Sequence, residues 1–348
     1  MTKAEIVLPA NDFHAELAFF TERLGFRLEQ IFPAEDPIVA VVSGHGLRLR
    51  LARNAETAPV LLRVVSDNPD EKQQKLTSPA GNRVEIHDAR EPSREVAMQP
   101  SFQIHRLAGG EDWIIGRAGM HYRDLIPDRL GGGLIASHIR IPDGGPVPDM
   151  VHYHSIQFQM IYCLRGWVRL VYEDQGPPFI LNAGDCVTQP PEIRHRVLEA
   201  SDELEVIEIG LPAEHMTNID HEMTLPTGRH DPGRVFEGQT FCHQIAATAA
   251  WEPWGPEGLM ERDTGIKAAS GGIADVRVLR LGDTIVQTAG PASDWVRFHY
   301  ALTGEGVLEI EGRSGMPLSP GDVFVLPPGT DAGYRATTPT LELLLVAL

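Results

Sequence analysis

The hydrophobic pattern changes period along the chain. Glu5–Leu8 reads as a short apolar strand, and Phe13, Leu17, Phe20 and Leu24 then fall at i, i+4, i+7 and i+11, one face of a helix. Asn11 or Asp12 is placed to cap that helix, and Gly25 sits where a helix end takes a left-handed residue. Three apolar runs follow, Phe26–Phe32, Ile38–Ser43 and Leu47–Ala52, the last two joined by the turn Ser43-Gly44-His45-Gly46. The order predicts a β-α-β-β-β unit. Val60–Val65 and Leu76–Ile86 read as further strands, separated by the polar stretch Asp67–Lys75. Residues 88–100 (DAREPSREVAMQP) are polar and proline-bounded, as a linker is.

From residue 101 the helical period is gone. Short strands alternate with turns, in keeping with the 34 glycines and 27 prolines of the chain. Two segments there share a pattern. Cys163-Leu164-Arg165-Gly166 is echoed by Ala301-Leu302-Thr303-Gly304, Asn182-Ala183-Gly184-Asp185 by Ser319-Pro320-Gly321-Asp322, and Gln189-Pro190-Pro191 by Leu326-Pro327-Pro328. Each Gly-Asp opens a strand that ends at a Pro-Pro. The repeat predicts two small barrels or jelly rolls in tandem. The expected organisation is a module over 1–90, a linker over 91–100, a first barrel over 101–212, a connection over 213–245 and a second barrel over 246–348.

Composition narrows the function classes. The chain has 348 residues with 48 acidic and 30 basic side chains, a net charge of −18. That balance repels a nucleic-acid backbone and an anionic membrane surface. No stretch approaches about 18 consecutive apolar residues, and the N-terminus lacks the basic start and apolar run of a signal peptide. The expectation is a soluble cytoplasmic protein with a small-molecule partner. Cys163, Cys186 and Cys242 contain no CxxC, so they form neither a disulfide framework nor a zinc–thiolate site.

The first barrel carries the chemistry. It reads His152-Tyr153-His154, four residues, Gln159, six residues, Gly166, and then Pro190 followed five residues later by His195. This resembles the cupin superfamily, whose motifs are HxH-(x)3–4-E-(x)6-G and PxGxxH. The likeness covers residues 101–210 and implies a bicupin over 101–348. In an extended strand residues i and i+2 share a face, so His152 and His154 can both enter the barrel, with His195 arriving from a second hairpin. The resemblance implies one divalent transition metal per chain, held by His152, His154, Gln159 and His195, with open positions for water, substrate or O2. Fe or Mn is the first choice, then Zn or Ni. Two residues depart from the motifs. Gln159 stands where the family has glutamate, so either a neutral amide completes the site or three histidines alone hold the metal. Glu192 stands where the second motif has glycine.

Other residues are candidates for the pocket. Gln157 and Cys163 share strand parity with Gln159 and are candidates to line it, as is His138 on the strand Leu134–Ile141. His215, Asp220, His221 and His230 match no metal template and read as a surface loop, and Arg194 and Arg196 point away from His195. Trp251 and Trp254 read as packing between domains. The second copy lacks the constellation: Gly290 and Ala292 fall at the HxH positions, Arg297 at that of Gln159 and Ala332 at that of His195.

A second resemblance concerns residues 3–90. Phe19-Phe20-Thr21-Glu22-Arg23-Leu24-Gly25-Phe26 and Ser78-Pro79-Ala80-Gly81-Asn82-Arg83-Val84-Glu85 are similar to signatures of the glyoxalase/vicinal-oxygen-chelate family. That family pairs two modules around a metal. Here Glu85 matches a ligand, but the metal histidine is absent and Glu5 lies near its place, so the reading is a structural or dimerising module.

The fold expectation is therefore mainly β, two tandem cupin β-barrels behind a small α+β module. The functional expectation is a metal-dependent enzyme acting on a small organic molecule, first a non-haem dioxygenase. The alternatives are a redox-neutral lyase, isomerase or cyclase, and a non-catalytic small-molecule binding protein. A homodimer is expected, since strand edges and a half-sized module need cover. No basic patch or helix-turn-helix pattern points to a transcription regulator.

Overall fold

The stripe over residues 13–24 does form a helix, but in two parts. In the computed structural model, which describes residues 2–33, 35–68, 74–89, 96–107, 113–255, 258–282, 286–287, 294–310 and 312–348, Phe13–Ala18 is α-helical and Phe19–Arg23 widens to a π turn. Asp12 caps it, its carboxylate accepting from the Ala15 amide, and Gly25 follows at φ +70. Phe13, Phe20 and Leu24 are buried, as the spacing requires. The chain divides into two units, Met1–Arg94 and Glu95–Leu348. Residues 90–95, the core of the expected linker, lie outside the described residues, as do 69–73 of the polar stretch.

In the first unit four strands lie in the order Ile6–Pro9, Leu47–Ala52, Val39–Gly44, Arg27–Phe32, the first pair parallel. A separate sheet pairs Leu61–Ser66 parallel to Arg83–Asp88, with Gln74–Thr77 antiparallel beside it. The link between helix and second sheet is a fully buried carboxylate. Glu16 accepts from the Ala80 amide at 2.8 Å and from the Asn82 side-chain nitrogen at 2.9 Å. Asn82 in turn accepts from the Val60 amide, and its own amide donates to the Ser78 hydroxyl. The Ser-Pro-Ala-Gly-Asn run is thus a tight turn wired to the helix.

The second unit holds two barrels, each of two facing antiparallel sheets. The wide sheet of the first runs His243–Gln244, Cys186–Thr188, Phe158–Arg165, Leu204–Leu211, Ile135–Ile141, His121–Asp124, Ile114–Ile115. Its narrow sheet runs Phe179–Asn182, Trp167–Tyr172, His195–Ala200, His152–Ser155, Met216–Ile219. The second barrel repeats the plan, with Leu259–Asp263, Asp275–Leu281, Leu341–Ala347, Arg297–Thr303 and Val323–Leu326 in its wide sheet. The repeat read in the sequence is a repeat of turns: Gly166 and Gly304 have φ +74 and +76, and Gly184 and Gly321 have φ +90 and +89. Asp185 and Asp322 close the same turn, each accepting from the amide three residues earlier, at 2.9 Å in both copies.

Two short pairings cross the boundaries expected from sequence. Gln103–His105 joins the wide sheet of the second barrel, and His243–Gln244 joins that of the first. Each supplies an edge to the barrel it does not precede or begin. The wide sheets also share one core: Ala136, Phe158, Met160, Tyr162, Ile207 and Ile209 cluster with Val276, Val278, Phe298, Tyr300, Leu344 and Val346. Trp251 packs on that cluster and lies under the Arg262 and Arg280 guanidinium groups, while Trp254 packs on the core of the second barrel.

Glu16→Ala should leave the buried Asn82 side chain and the half-buried Ala80 amide without their partner, a cost of about 3 kcal/mol. Hydrogen exchange of the buried amides in residues 2–89 should then quicken by roughly two orders of magnitude. Unchanged exchange would show that the turn does not depend on this carboxylate.

Candidate metal centre

Strand alternation delivers the three histidines. His152 and His154 point inward from His152–Ser155, while Tyr153 between them faces out beneath the Arg194 guanidinium, 4.0 Å from its ring centre. His195 opens the neighbouring strand and pairs directly opposite His152. The turn before it explains the glycine of the motif: Glu192 sits at φ +60, a conformation that costs a non-glycine residue about 1–2 kcal/mol. Its amide donates to the His154 carbonyl at 3.0 Å, fastening the turn to the first strand.

The three rings face one another closely. Centroids are 4.2 Å apart for His152 and His195 and 5.3 Å for each other pair, and one nitrogen from each lies within 4.8 Å of the others. The Nδ1 atoms are held from behind. That of His152 donates to the Met150 carbonyl at 2.8 Å, that of His195 to the Ile193 carbonyl at 2.9 Å, and that of His154 meets the Thr217 hydroxyl at 3.0 Å. Such outer partners fix ring orientation and tautomer, which leaves Nε2 lone pairs toward the centre.

Electrostatics keeps the rings neutral. Burial lowers all three pKa values; the neighbouring rings and the Arg117 guanidinium lower those of His154 and His195 further, and Arg117 that of His152, against the pull of Asp149. His154 falls to about 3 and His195 well below its usual value. Buried, unprotonated imidazoles aimed at one point are the donor set of a divalent transition metal, and they fit one here.

Arg117 is the neighbour that sequence reading missed. It comes from the turn Arg117–Gly119, forms an ion pair with buried Asp149, and its other nitrogen donates to Nε2 of His152 at 3.0 Å. Asp149 also accepts from the Val197 amide at 3.0 Å and lies 3.6 Å from Nδ1 of His152. The guanidinium therefore occupies the same lone pair that a metal would use. Tyr172 backs the site from the other side. Its ring stacks on His195 at 5.4 Å and its hydroxyl accepts from the Gln189 side chain at 3.0 Å.

The histidines open into a cavity of about 370 Å³. Its walls are largely apolar, among them Ile139, Ile161, Leu170 and Val206, with Glu208, His215 and Arg117 as ionisable groups besides the cluster. His215, expected on a surface loop, is 5.4 Å from the His154 ring and lines this cavity, with its pKa lowered by burial. Its neighbours in sequence do stay outside: Asp220 pairs with Arg194, and His221 and His230 are exposed.

The pocket candidates are a correction. His138, Cys163 and Gln157 are not among the residues that line the cavity. His138 faces the shared core, against Trp113 and Tyr300, and pairs with Glu205 at 2.9 Å. Cys163 lies in the first barrel's packed core, where burial pushes its thiol up to about 12. Gln157 is exposed, in the bend just before the strand Phe158–Arg165. Gln159, expected as a fourth ligand, has the parity of Ile161 and is 1% exposed, but it too is not among the residues that line the cavity, and neither amide atom has a hydrogen-bond partner.

In the second barrel Gly290 and Ala292 lie outside the described residues. His299 is buried there, stacked on Phe324 and hydrogen-bonded to the Tyr334 hydroxyl at 3.0 Å, and Arg297 donates to the Thr330 carbonyl. In the first unit Glu5 pairs with Arg48 and Arg50, and Glu85 lies 3.7 Å from Lys75 and 3.5 Å from His87. Among the described residues the only grouping of metal-ligating side chains is His152, His154 and His195.

Residues 137–210 match the cupin domain family. The match spans both histidine motifs. Solved structures extend the likeness to the two-barrel unit. Salicylate 1,2-dioxygenase from Pseudaminobacter salicylatoxidans is similar with a TM-score of 0.54 at 14% identity, over 72% of this chain and 85% of that one. Oxalate decarboxylase from Lactobacillus farciminis, in a formate complex, gives 0.52 at 12% identity over 71% and 86%. A mutant of the Bacillus subtilis oxalate decarboxylase gives 0.52 at 12% identity over 71% and 77%. At these identities the likeness shows the fold, a mainly β chain with cupin barrels. No curated protein matches the chain. Among the described residues no helix is long and apolar enough to cross a membrane.

The lowered pKa values set a pH dependence. Each of these histidines is neutral when folded and takes up a proton near 6.5 when unfolded, so the unfolded chain binds more protons below that value. Stability of chelator-treated protein should thus be full above about pH 6.5 and fall as the pH drops toward about 3, the folded value of His154. Thermal unfolding of the His152→Asn/His154→Asn/His195→Asn protein should show a shallower fall over that window. Equal slopes would mean that the cluster is not held neutral.

Proposed function

We propose that the unit 95–348 is a metal-dependent cupin enzyme acting on a small, largely apolar organic molecule, with O2-dependent cleavage on Fe(II) or Mn(II) as the leading chemistry. One observation carries the reading: three neutral imidazoles, each anchored through Nδ1, converge at the wall of an apolar cavity of about 370 Å³. That volume suits a single substituted ring or a short diketone.

His152, His154 and His195 would hold the metal, which supplies Lewis acidity and, for Fe or Mn, redox chemistry toward O2. The chain's own residues do the rest. Ile139, Ile161, Leu170 and Val206 bind the substrate body and exclude water. Thr217, Met150 and Ile193 keep the imidazoles aimed. Arg117 shares the Nε2 of His152, so a metal held there would take the place of that contact, while its pair with Asp149 would keep a cation at the substrate's edge of the site. The fold shared with a salicylate dioxygenase supports the oxidative choice. Residues 1–94 are read as a structural or dimerising module with no part in the chemistry.

A redox-neutral reaction is the second reading, favoured by Gln159. A neutral amide at the glutamate position leaves the metal its full charge, which sharpens electrophilic activation and disfavours higher oxidation states. The fold shared with oxalate decarboxylases supports this reading equally.

Untagged protein purified without chelator should carry about one Fe or Mn per chain by mass spectrometry, and His154→Ala should lose it. Full metal in His154→Ala would remove the assignment. Oxygen uptake on phenolic and diketone compounds separates the two chemistries, and turnover under strict anaerobiosis would exclude the dioxygenase.

A further inference from the structure

Two side chains of the first barrel have no role in the leading reading above. Gln159 is buried with both amide atoms short of a hydrogen-bond partner. A buried amide left so costs about 1–3 kcal/mol unless something engages it. Glu208 is a carboxylate on the cavity wall that forms no ion pair among the described residues.

The sheet places the two side by side. In the antiparallel pairing of Phe158–Arg165 with Leu204–Leu211, Gln159 lies opposite Gly210 and Ile161 opposite Glu208. Gln159 and Glu208 are therefore diagonal neighbours on the inward face, about 7–8 Å apart at the backbone and within reach of two long side chains. Gly210, opposite Gln159, has no side chain of its own, and Ile156, Ile135 and His215 fill the space above it. Burial raises the Glu208 pKa, while the Gln159 amide and the Arg117 guanidinium draw it back toward the carboxylate. Glu208 is also felt by Tyr172, which stacks on His195.

We propose that Glu208 is an outer carboxylate of the metal centre, accepting from the Gln159 side-chain nitrogen and so turning the amide oxygen toward the histidine cluster. The negative charge that the motif places on one strand is supplied from the next. This rests on the metal centre proposed above and settles how Gln159 takes part in it: the amide ligates through oxygen, polarised by a carboxylate behind it. Outer partners of this kind are worth roughly 10–100-fold in metal affinity.

The test uses Co(II) and the whole chain, with affinity read by competition against a chromophoric chelator and the ligand set by the visible absorption of the bound ion. Glu208→Gln keeps the shape and removes the charge. It should weaken Co(II) binding about tenfold and shift the absorption. The exchange Gln159→Glu/Glu208→Gln returns a carboxylate to the site and should recover affinity to within about threefold of the parent. Should Glu208→Gln fail to fold, Glu208→Asp, which draws the carboxylate back by one methylene, should show a smaller loss in the same direction. Parent affinity and spectrum in Glu208→Gln, or an exchange no better than Glu208→Gln alone, would overturn this proposal while leaving the histidine site standing. A parent protein that binds no Co(II), or binds it undiminished in His154→Ala, would overturn the metal reading and this inference together.

Discussion

Burial of the wide sheets on both faces is the constraint on which the second unit depends. One face of each sheet closes its own barrel and the other presses on the sheet of its twin, so nearly every residue of Phe158–Arg165 and Leu204–Leu211 meets apolar surroundings. Alternation along these strands therefore separates two interiors rather than an inside from an outside. Ile207 and Ile209 serve the shared core, while Val206 and Glu208 serve the cavity. The crossed edge strands Gln103–His105 and His243–Gln244 tie the two barrels further, because each barrel's wide sheet is finished by chain from beyond its own segment.

The same packing makes the histidine cluster chemically useful. Protonated imidazoles 4–5 Å apart would repel, and away from water they would lose their hydration as well. Both effects favour neutral rings. The cost of gathering them is met by hydrogen bonds behind each ring and by Arg117, a cation already in place at His152 and neutralised by Asp149. The arrangement is poised between an internal cation and an external one. The twin barrel shows the other outcome. There His299, Phe324 and Tyr334 stack within the interior, and the histidine is spent on packing and one hydrogen bond.

Legibility followed the range of the interactions. The helix cap at Asp12, the left-handed glycines and the Gly-Asp turns are local, and each stands where the pattern of residues put it. The HxH pair was legible for the same reason, since two residues of one strand share a face. The pocket residues were not. His138 could face either of two apolar interiors and enters the shared one, while parity puts Cys163 in the right interior without saying that it packs beyond the cavity, and says nothing of Gln157, which precedes its strand and is exposed. Arg117, Asp149, Glu208 and His215 carried no signal at all, because what makes each important is a neighbour 32 to 61 residues away in the chain.

The sequence by itself determined the order of the elements, the two-barrel plan and the three histidines whose spacing survives in only one copy, because strand period and turn chemistry are written in neighbouring residues. Tertiary structure alone decided that burial lowers the pKa values of the imidazoles, that a guanidinium meets one of them, and that Glu208 lies diagonal to Gln159 across the sheet. Burial and charge proximity fix those states, and both exist only once distant strands have been brought face to face.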